Sequence, residues 1–519
     1  MTQRHRSGPR RGRLSLLLAL ALVLPGLTIA TPPIASQSVA GADADVRPEL
    51  RAEVAADIAD GVSAYVIDAT LDEAMSTITG TLDVTFHNEA ATPLAEVYFR
   101  LYPNIAYYAE GDLAITEATV DGAAATTGLE VDATALRVDL AEPLPADEAI
   151  DLALSFTTTV PIDAGGSYGI FRRDSANGTW ILADWHPVLA VFEDGHGWHL
   201  DPATSAGDPT HAASAFYDVT FTAPESLTVV ASGLPVAEES GAGSRTARFI
   251  AGPAREFTVV VDDDYVMTSD EIDGLTIAVY TEPETPAAVA EETLAIAARS
   301  VRVFGELFGP YPFTELDLVE TGLAGALAVS WSGLIFLDSA AMLGRMATGD
   351  PLGYETIVAH EIAHQWWGGM VGSNSNDHTF INEGLATLSS IIYLERTAGA
   401  EAAAVARDAW LLTPARRLLT RGDRVVDQPI AEGQDELARA DSIYGKGALG
   451  FAAIRRQIGD EAFFAALRDH ADAFRFALAE PDDLREAFAA ASGQDLDALW
   501  SHWFNEAALT AGEIASFAE

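Results

Sequence analysis

Between residues 64 and 261 the chain reads as short runs in which apolar and polar positions alternate or β-branched residues cluster, as at 76–86, 96–102 and 216–221. Turns rich in Gly, Pro and Asp separate these runs, and the pattern predicts an all-β domain. After Pro283 the texture changes. Alanine-rich segments at 287–307, 354–367, 385–396 and 445–458 carry apolar residues at a 3.6-residue period, which predicts helices. The acidic run Asp262-Asp263-Asp264 and the stretch to Gly274 set a boundary near residue 270, with one further short strand expected at 275–280 leading into the helical half. The expected fold class is therefore multidomain α and β: an all-β domain over 43–270, then a mainly helical domain over 271–519.

The first 42 residues belong to neither domain. Arg4, Arg6, Arg10, Arg11 and Arg13 precede an apolar run over 14–24, and no acidic residue occurs before Asp43. This is the layout of a secretory signal, with small-residue cleavage patterns at 28–30 and 40–42. The run is short and ends at Pro25, which disfavours a membrane anchor, so a secreted or extracytoplasmic protein without stable membrane insertion after cleavage is expected.

Composition narrows the chemistry. A net charge of −47 would repel nucleic-acid phosphates and anionic lipid surfaces, so no nucleic-acid partner is expected. The chain has no cysteine, so any metal must be held by His and carboxylates. Lys446 is the only lysine.

One segment has that ligand chemistry. Residues 360–364 read His-Glu-Ile-Ala-His. Asp350 as N-cap, Pro351 as first helical residue and Gly368-Gly369 as terminator predict a helix of about four turns around it. Residues four apart share a face, so His360 and His364 can present both imidazoles to one zinc ion, with Glu361 beside them as general base rather than ligand. Taken alone, the motif also suits a helix whose two half-buried histidines bond to carbonyls. A catalytic zinc needs a third protein ligand, and Glu383, opening a second helix whose Leu385, Leu388, Ile391 and Ile392 can pack against the first, is the candidate. His186, His211 and His378 are isolated and receive no metal role. His196 and His199 are three apart in a glycine-flanked loop with no evident third ligand.

This pattern resembles the gluzincin aminopeptidases, the family of aminopeptidase N and the leukotriene hydrolase, whose signature is H-E-x-x-H, 18 residues, then E. The segments at 308–313 (Phe-Gly-Pro-Tyr-Pro-Phe), 366–368 (Trp-Trp-Gly), 183–187 and 100–104 are similar to further family segments. Residues 444–447, Tyr-Gly-Lys-Gly, resemble the segment bearing the family's catalytic tyrosine, which implies that Tyr444 stabilises the oxyanion. The resemblance implies a β-saddle domain on a thermolysin-like domain, one zinc per chain, a peptide substrate bound in a groove between them, and no room for the large C-terminal domain of longer members. Oligomeric state stays open.

One family segment departs. Where aminopeptidases carry G-x-M-E-N, whose Glu binds the substrate's free amine, this chain has residues 325–334, Gly-Ala-Leu-Ala-Val-Ser-Trp-Ser-Gly-Leu. Ala328 or Ser330 falls at the glutamate, depending on register, and Glu320 is the nearby carboxylate that could substitute. The expected function is an exported zinc metallopeptidase, aminopeptidase first; the alternatives are a zinc endopeptidase with little need for a free N-terminus and a non-catalytic binding relative.

Overall fold

The computed structural model describes residues 41–518 apart from 59–60, 75, 164–167, 202–203, 205–209, 345–351 and 431–434. The basic and apolar run expected to be a signal, Asp350 and Pro351 lie outside the described residues.

The alternating runs of the first half form a broad sheet. Its eight strands lie in the order Leu234–Gly241, Ser244–Ala254, Ala215–Pro224, Ala64–Asp72, Thr77–His87, Ala149–Thr159, Asp112–Val120, Ala123–Ala124. Along Thr77–His87 the residues Ile78, Leu82, Val84 and Phe86 turn into the core while Thr79 and Thr81 face water, the period-two pattern of a sheet covered on one face. Two smaller four-stranded sheets and a two-stranded hairpin complete this domain, and Trp180 and Trp185 are fully enclosed within it.

The second domain is built on a five-stranded sheet in the order Val266–Ile272, Leu275–Thr281, Glu315–Thr321, Leu334–Asp338, Ala328–Trp331. Helix Ala287–Phe308 crosses between two parallel strands, and Ala328–Trp331 runs antiparallel at the edge. Two features differ from the sequence expectation of a division at 270. Strand Val266–Ile272 pairs with Leu275–Thr281 through a hairpin at Asp273-Gly274, both at positive φ, so the division falls at 263–265. Asp-Gly is the residue pair such a two-residue turn favours. Conversely, Val46, Leu50 and Val54 from the start of the described chain pack into the core of the second domain.

Arg255 ties the two domains together. From the β domain its buried guanidinium donates to the carbonyl oxygens of Gly368 at 2.7 Å, Ala477 at 2.7 Å and Met370 at 3.3 Å, as well as to Ala212 at 3.2 Å. A Cβ at Gly372 would sit 2.2 Å from the Arg255 Cζ, so only glycine lets the clamp close.

Candidate metal centre and cleft

The helix carrying the histidines is Gly353–Ala363, shorter than the sequence pattern predicts, and His364 stands at its C-cap. Beyond it the backbone winds wider, with Gly369 N bonding to His364 O and Met370 N to Gln365 O. Trp366 and Trp367, both fully buried, end the helix before the glycines by turning into the core, where Trp366 Nε1 donates to Gly309 O at 2.9 Å. The second helix begins at Thr379, so Glu383 lies in its second turn rather than at its start. The two helices pack side by side, and the π-helical turn Asp441–Gly447, carrying Tyr444, packs against the second of them. That approach needs Gly384: a Cβ there would lie 3.0 Å from the Phe451 ring and 3.3 Å from the Gly447 backbone.

The result is a compact triangle of donor atoms. His360 Nε2 lies 3.1 Å from His364 Nε2, and Glu383 Oε2 is 3.2 Å from each of them. A zinc ion bound tetrahedrally at about 2.0–2.1 Å holds its donors roughly 3.3 Å apart, so the triangle fits that ion. The imidazole planes cross at 85°, which lets both in-plane lone pairs meet at one point. The ring atoms facing away are held as well. His364 Nδ1 is 2.9 Å from Trp367 O, and His360 Nδ1 is 3.5 Å from Thr387 Oγ1, whose own hydrogen goes to Glu383 O. Such partners place the proton on Nδ1 and leave Nε2 free as ligand.

The electrostatics suit a cation. Burial would raise the Glu383 carboxyl, but His364 and His360 outweigh it and hold the group well below the usual carboxylate range. Burial would lower His364, but Glu383 lifts it to about 9. Burial pushes the Glu361 carboxyl up, only partly offset by the two histidines, so it is a better proton acceptor than a surface glutamate. Burial and the Glu383 carboxylate push the Tyr444 phenol well above its ordinary value, keeping it a donor. Its ring centroid is 6.1 Å from that of His360.

These groups face a cleft of about 470 Å³. Its floor is the two ligand helices, one wall is the edge strand Ala328–Trp331 with part of the β domain, and the opposite wall carries Tyr444, Trp410 and Arg417.

Of the other residues the sequence singled out, Ser330 donates to the Glu361 carbonyl at 3.1 Å and accepts from Gln365, so it braces the wall without supplying charge. Glu320 is buried away from the cleft, its carboxylate taken by Thr285 Oγ1 and Glu282 N, and does not replace the missing glutamate. Lys446 is fully buried on Asp423 and two carbonyls, an anchor rather than a solvated or cleft residue.

His196 and His199 do gain a third neighbour, Glu193, because the hairpin Phe192–Glu193/Gly197–Trp198 folds it back. Their rings, however, stack 4.1 Å apart at 11°, and nearly parallel planes cannot both contain one ion. Glu256, Gln365, Thr387 and Arg439 belong to the cleft or its supports and were not singled out by the sequence, since each is distant in the chain and unmarked by spacing.

Residues 292–503 match the peptidase family M1 domain. Aminopeptidase M1 of Arabidopsis thaliana is 26% identical over 310 residues, covering 56% of this chain and 34% of that protein. Aminopeptidase N of Lactobacillus helveticus is 24% identical over 249 residues, 46% of this chain and 29% of that protein. The chain thus spans about a third of the length of these curated relatives. Among solved structures, the M1 zinc metallopeptidase of Deinococcus radiodurans superposes with a TM-score of 0.63 at 20% identity, over 86% of this chain and 94% of that one. A variant of it bound to the substrate Tyr-Ser-Ala gives a TM-score of 0.62 at 20% identity, over 86% of this chain and 95% of that one.

Proposed function

We propose that this chain, a gluzincin of the aminopeptidase N type whose peptidase family M1 domain spans residues 292–503, is a zinc-dependent peptidase that removes N-terminal residues from peptides. The observation that carries this reading is the convergence of three donor atoms, a buried glutamate and a half-buried phenol on one cleft. His360, His364 and Glu383 would hold one zinc ion, which supplies Lewis acidity toward water and toward a carbonyl.

The chain's own residues do the rest. Glu361 accepts the proton of the attacking water and returns it to the departing amine. Tyr444 donates to the carbonyl oxygen as it becomes negative, an interaction stronger in the transition state than with the bound peptide. The outer edge of Ala328–Trp331 offers backbone groups to an extended peptide.

Amine recognition falls to Glu256. Its carboxylate lines the wall beside the edge strand and accepts from Ser332 Oγ at 2.9 Å, in the neighbourhood where Ala328 and Ser330 offer no charge. The missing strand glutamate favours a second reading, an endopeptidase indifferent to the free amine. The deciding test is the rate on matched peptides with free and acetylated N-termini, in the wild type and in Glu256→Gln. A strong preference for the free amine that Glu256→Gln removes supports the first reading. Equal rates on both peptides in the wild type replace it with the second. Export, proposed from the basic and apolar N-terminal run, is tested by sequencing the mature N-terminus; an intact Met1 contradicts it.

A further inference from the structure

Arg439 lies in the cleft wall five residues before Tyr444, and only 6% of its surface is exposed. Buried guanidinium groups are costly unless paired and hydrogen-bonded. The other two arginines of the cleft, buried Arg255 and half-exposed Arg417, are both paired. Arg255 spends its donors on four carbonyls, and Arg417 grips Asp441 with two parallel hydrogen bonds, the Nε one at 2.8 Å. The Arg439 guanidinium makes no hydrogen bond or ion pair among the described residues, and its Nε is wholly covered and unpartnered. Asp441, two residues on, is committed to Arg417.

The local backbone explains why this charge is aimed at the cleft. Residues five apart on an α-helix point about 140° away from each other. The π-helical turn Asp441–Gly447 winds more widely, and Arg439 and Tyr444 both line the cleft.

We propose that Arg439 binds a carboxylate of the substrate, lying within one or two residues of the bond to be cut, so that the preferred substrates are short or acidic peptides. This rests on the peptidase reading. A planar guanidinium whose two terminal nitrogens are unpartnered among the described residues matches a carboxylate bidentately, and the occupant completes a site left charged by the fold. The carboxylate is either the peptide's own C-terminus or an Asp or Glu side chain.

The test uses four peptides with the same residues before the scissile bond: a short free acid, its amide, and two amidated peptides with Glu or Gln after the bond. The wild type is expected to favour one carboxylate over its neutral partner by roughly 10- to 100-fold in kcat/KM, and the favoured pair identifies the source. In Arg439→Gln that ratio collapses toward one; Arg439→Lys, which keeps the charge but not the fork, restores part of it. Because the group is unpaired, Arg439→Gln should melt no lower than the wild type. The inference is overturned if neither pair differs in the wild type or if the ratio survives in Arg439→Gln. Calorimetric binding of the same acid and amide to Glu361→Gln, with and without Arg439→Gln, gives a second readout. A protein that cuts all four peptides equally sinks this inference alone. A protein that cuts none sinks the peptidase reading, and equal binding of acid and amide would then sink the Arg439 site as well.

Discussion

Tyr444 and Glu361 show how burial helps select a role. Both are pushed above their ordinary values by desolvation, but for the phenol this secures a donor and for the carboxylate it improves an acceptor. Replacing Tyr444 with Phe is therefore expected to lower kcat by roughly 10²–10³ while KM changes little, measured by steady-state kinetics on one peptide. A rise in KM alone would make Tyr444 a substrate contact. At this scale the sequence was informative where spacing encodes geometry: His360 and His364 share a helical face, and Glu383 lies in the second turn of the helix beside it. It was silent on Glu256 and Arg439, whose significance comes from what surrounds them after folding rather than from any local pattern.

Between elements, the joint that matters is the one between the first ligand helix and the edge strand. The Gln365 carboxamide accepts from Gly333 N at 3.0 Å and donates to Ser330 Oγ at 2.8 Å and Trp331 O at 2.9 Å. Gln365→Leu leaves the buried Gly333 amide and Trp331 carbonyl without this partner and is expected to cost about 2–4 kcal/mol in denaturant unfolding, with a raised KM as the wall loosens. Unchanged stability would mean that the strand is held otherwise. Helices were legible from their period, as Ala287–Phe308 illustrates, whereas ends were not. The histidine helix stops at His364 because two tryptophans turn inward, a tertiary demand invisible to capping rules. The Asp273-Gly274 pair is a legible turn signal, whereas the pairing of the strands on either side of it, which sets the domain boundary, depends on the sheet they join.

For the whole molecule, three buried carboxyl groups near the seam between the domains contribute a definite response to pH. Burial raises Asp45 to about 7 and Glu315 to about 7, and raises Asp317 well above the carboxylate range, with Glu315 adding repulsion to the other two. Each is protonated in the folded protein over a range where the unfolded chain has released its proton. Folding then takes up protons at these sites, so their contribution to stability is full near pH 4 and falls as pH rises through about 7. Asp45→Asn keeps one oxygen to accept from Gly252 N and turns its NH2 toward the Thr314 hydroxyl, which can accept, while removing the charge, and should flatten this fall and raise Tm at pH 8 by a few degrees. Thermal melts of both proteins across pH 4–8 check it, and a Tm difference between them that does not grow with pH would contradict it. The two-domain order was legible in the switch from period two to period 3.6, but the seam was not, because Val46 and Arg255 cross it against their position in the chain. The central claim is that one metal held by His360, His364 and Glu383 works with Glu361 to cut peptides. Its most direct test strips the metal with a chelator and titrates zinc back while following peptide cleavage, in the wild type and in Glu361→Gln. Activity should return and saturate at one zinc per chain, and Glu361→Gln should take up the same zinc with its rate lower by roughly 10²–10⁴. Full activity in the metal-free protein, or a wild-type rate in Glu361→Gln, would contradict it.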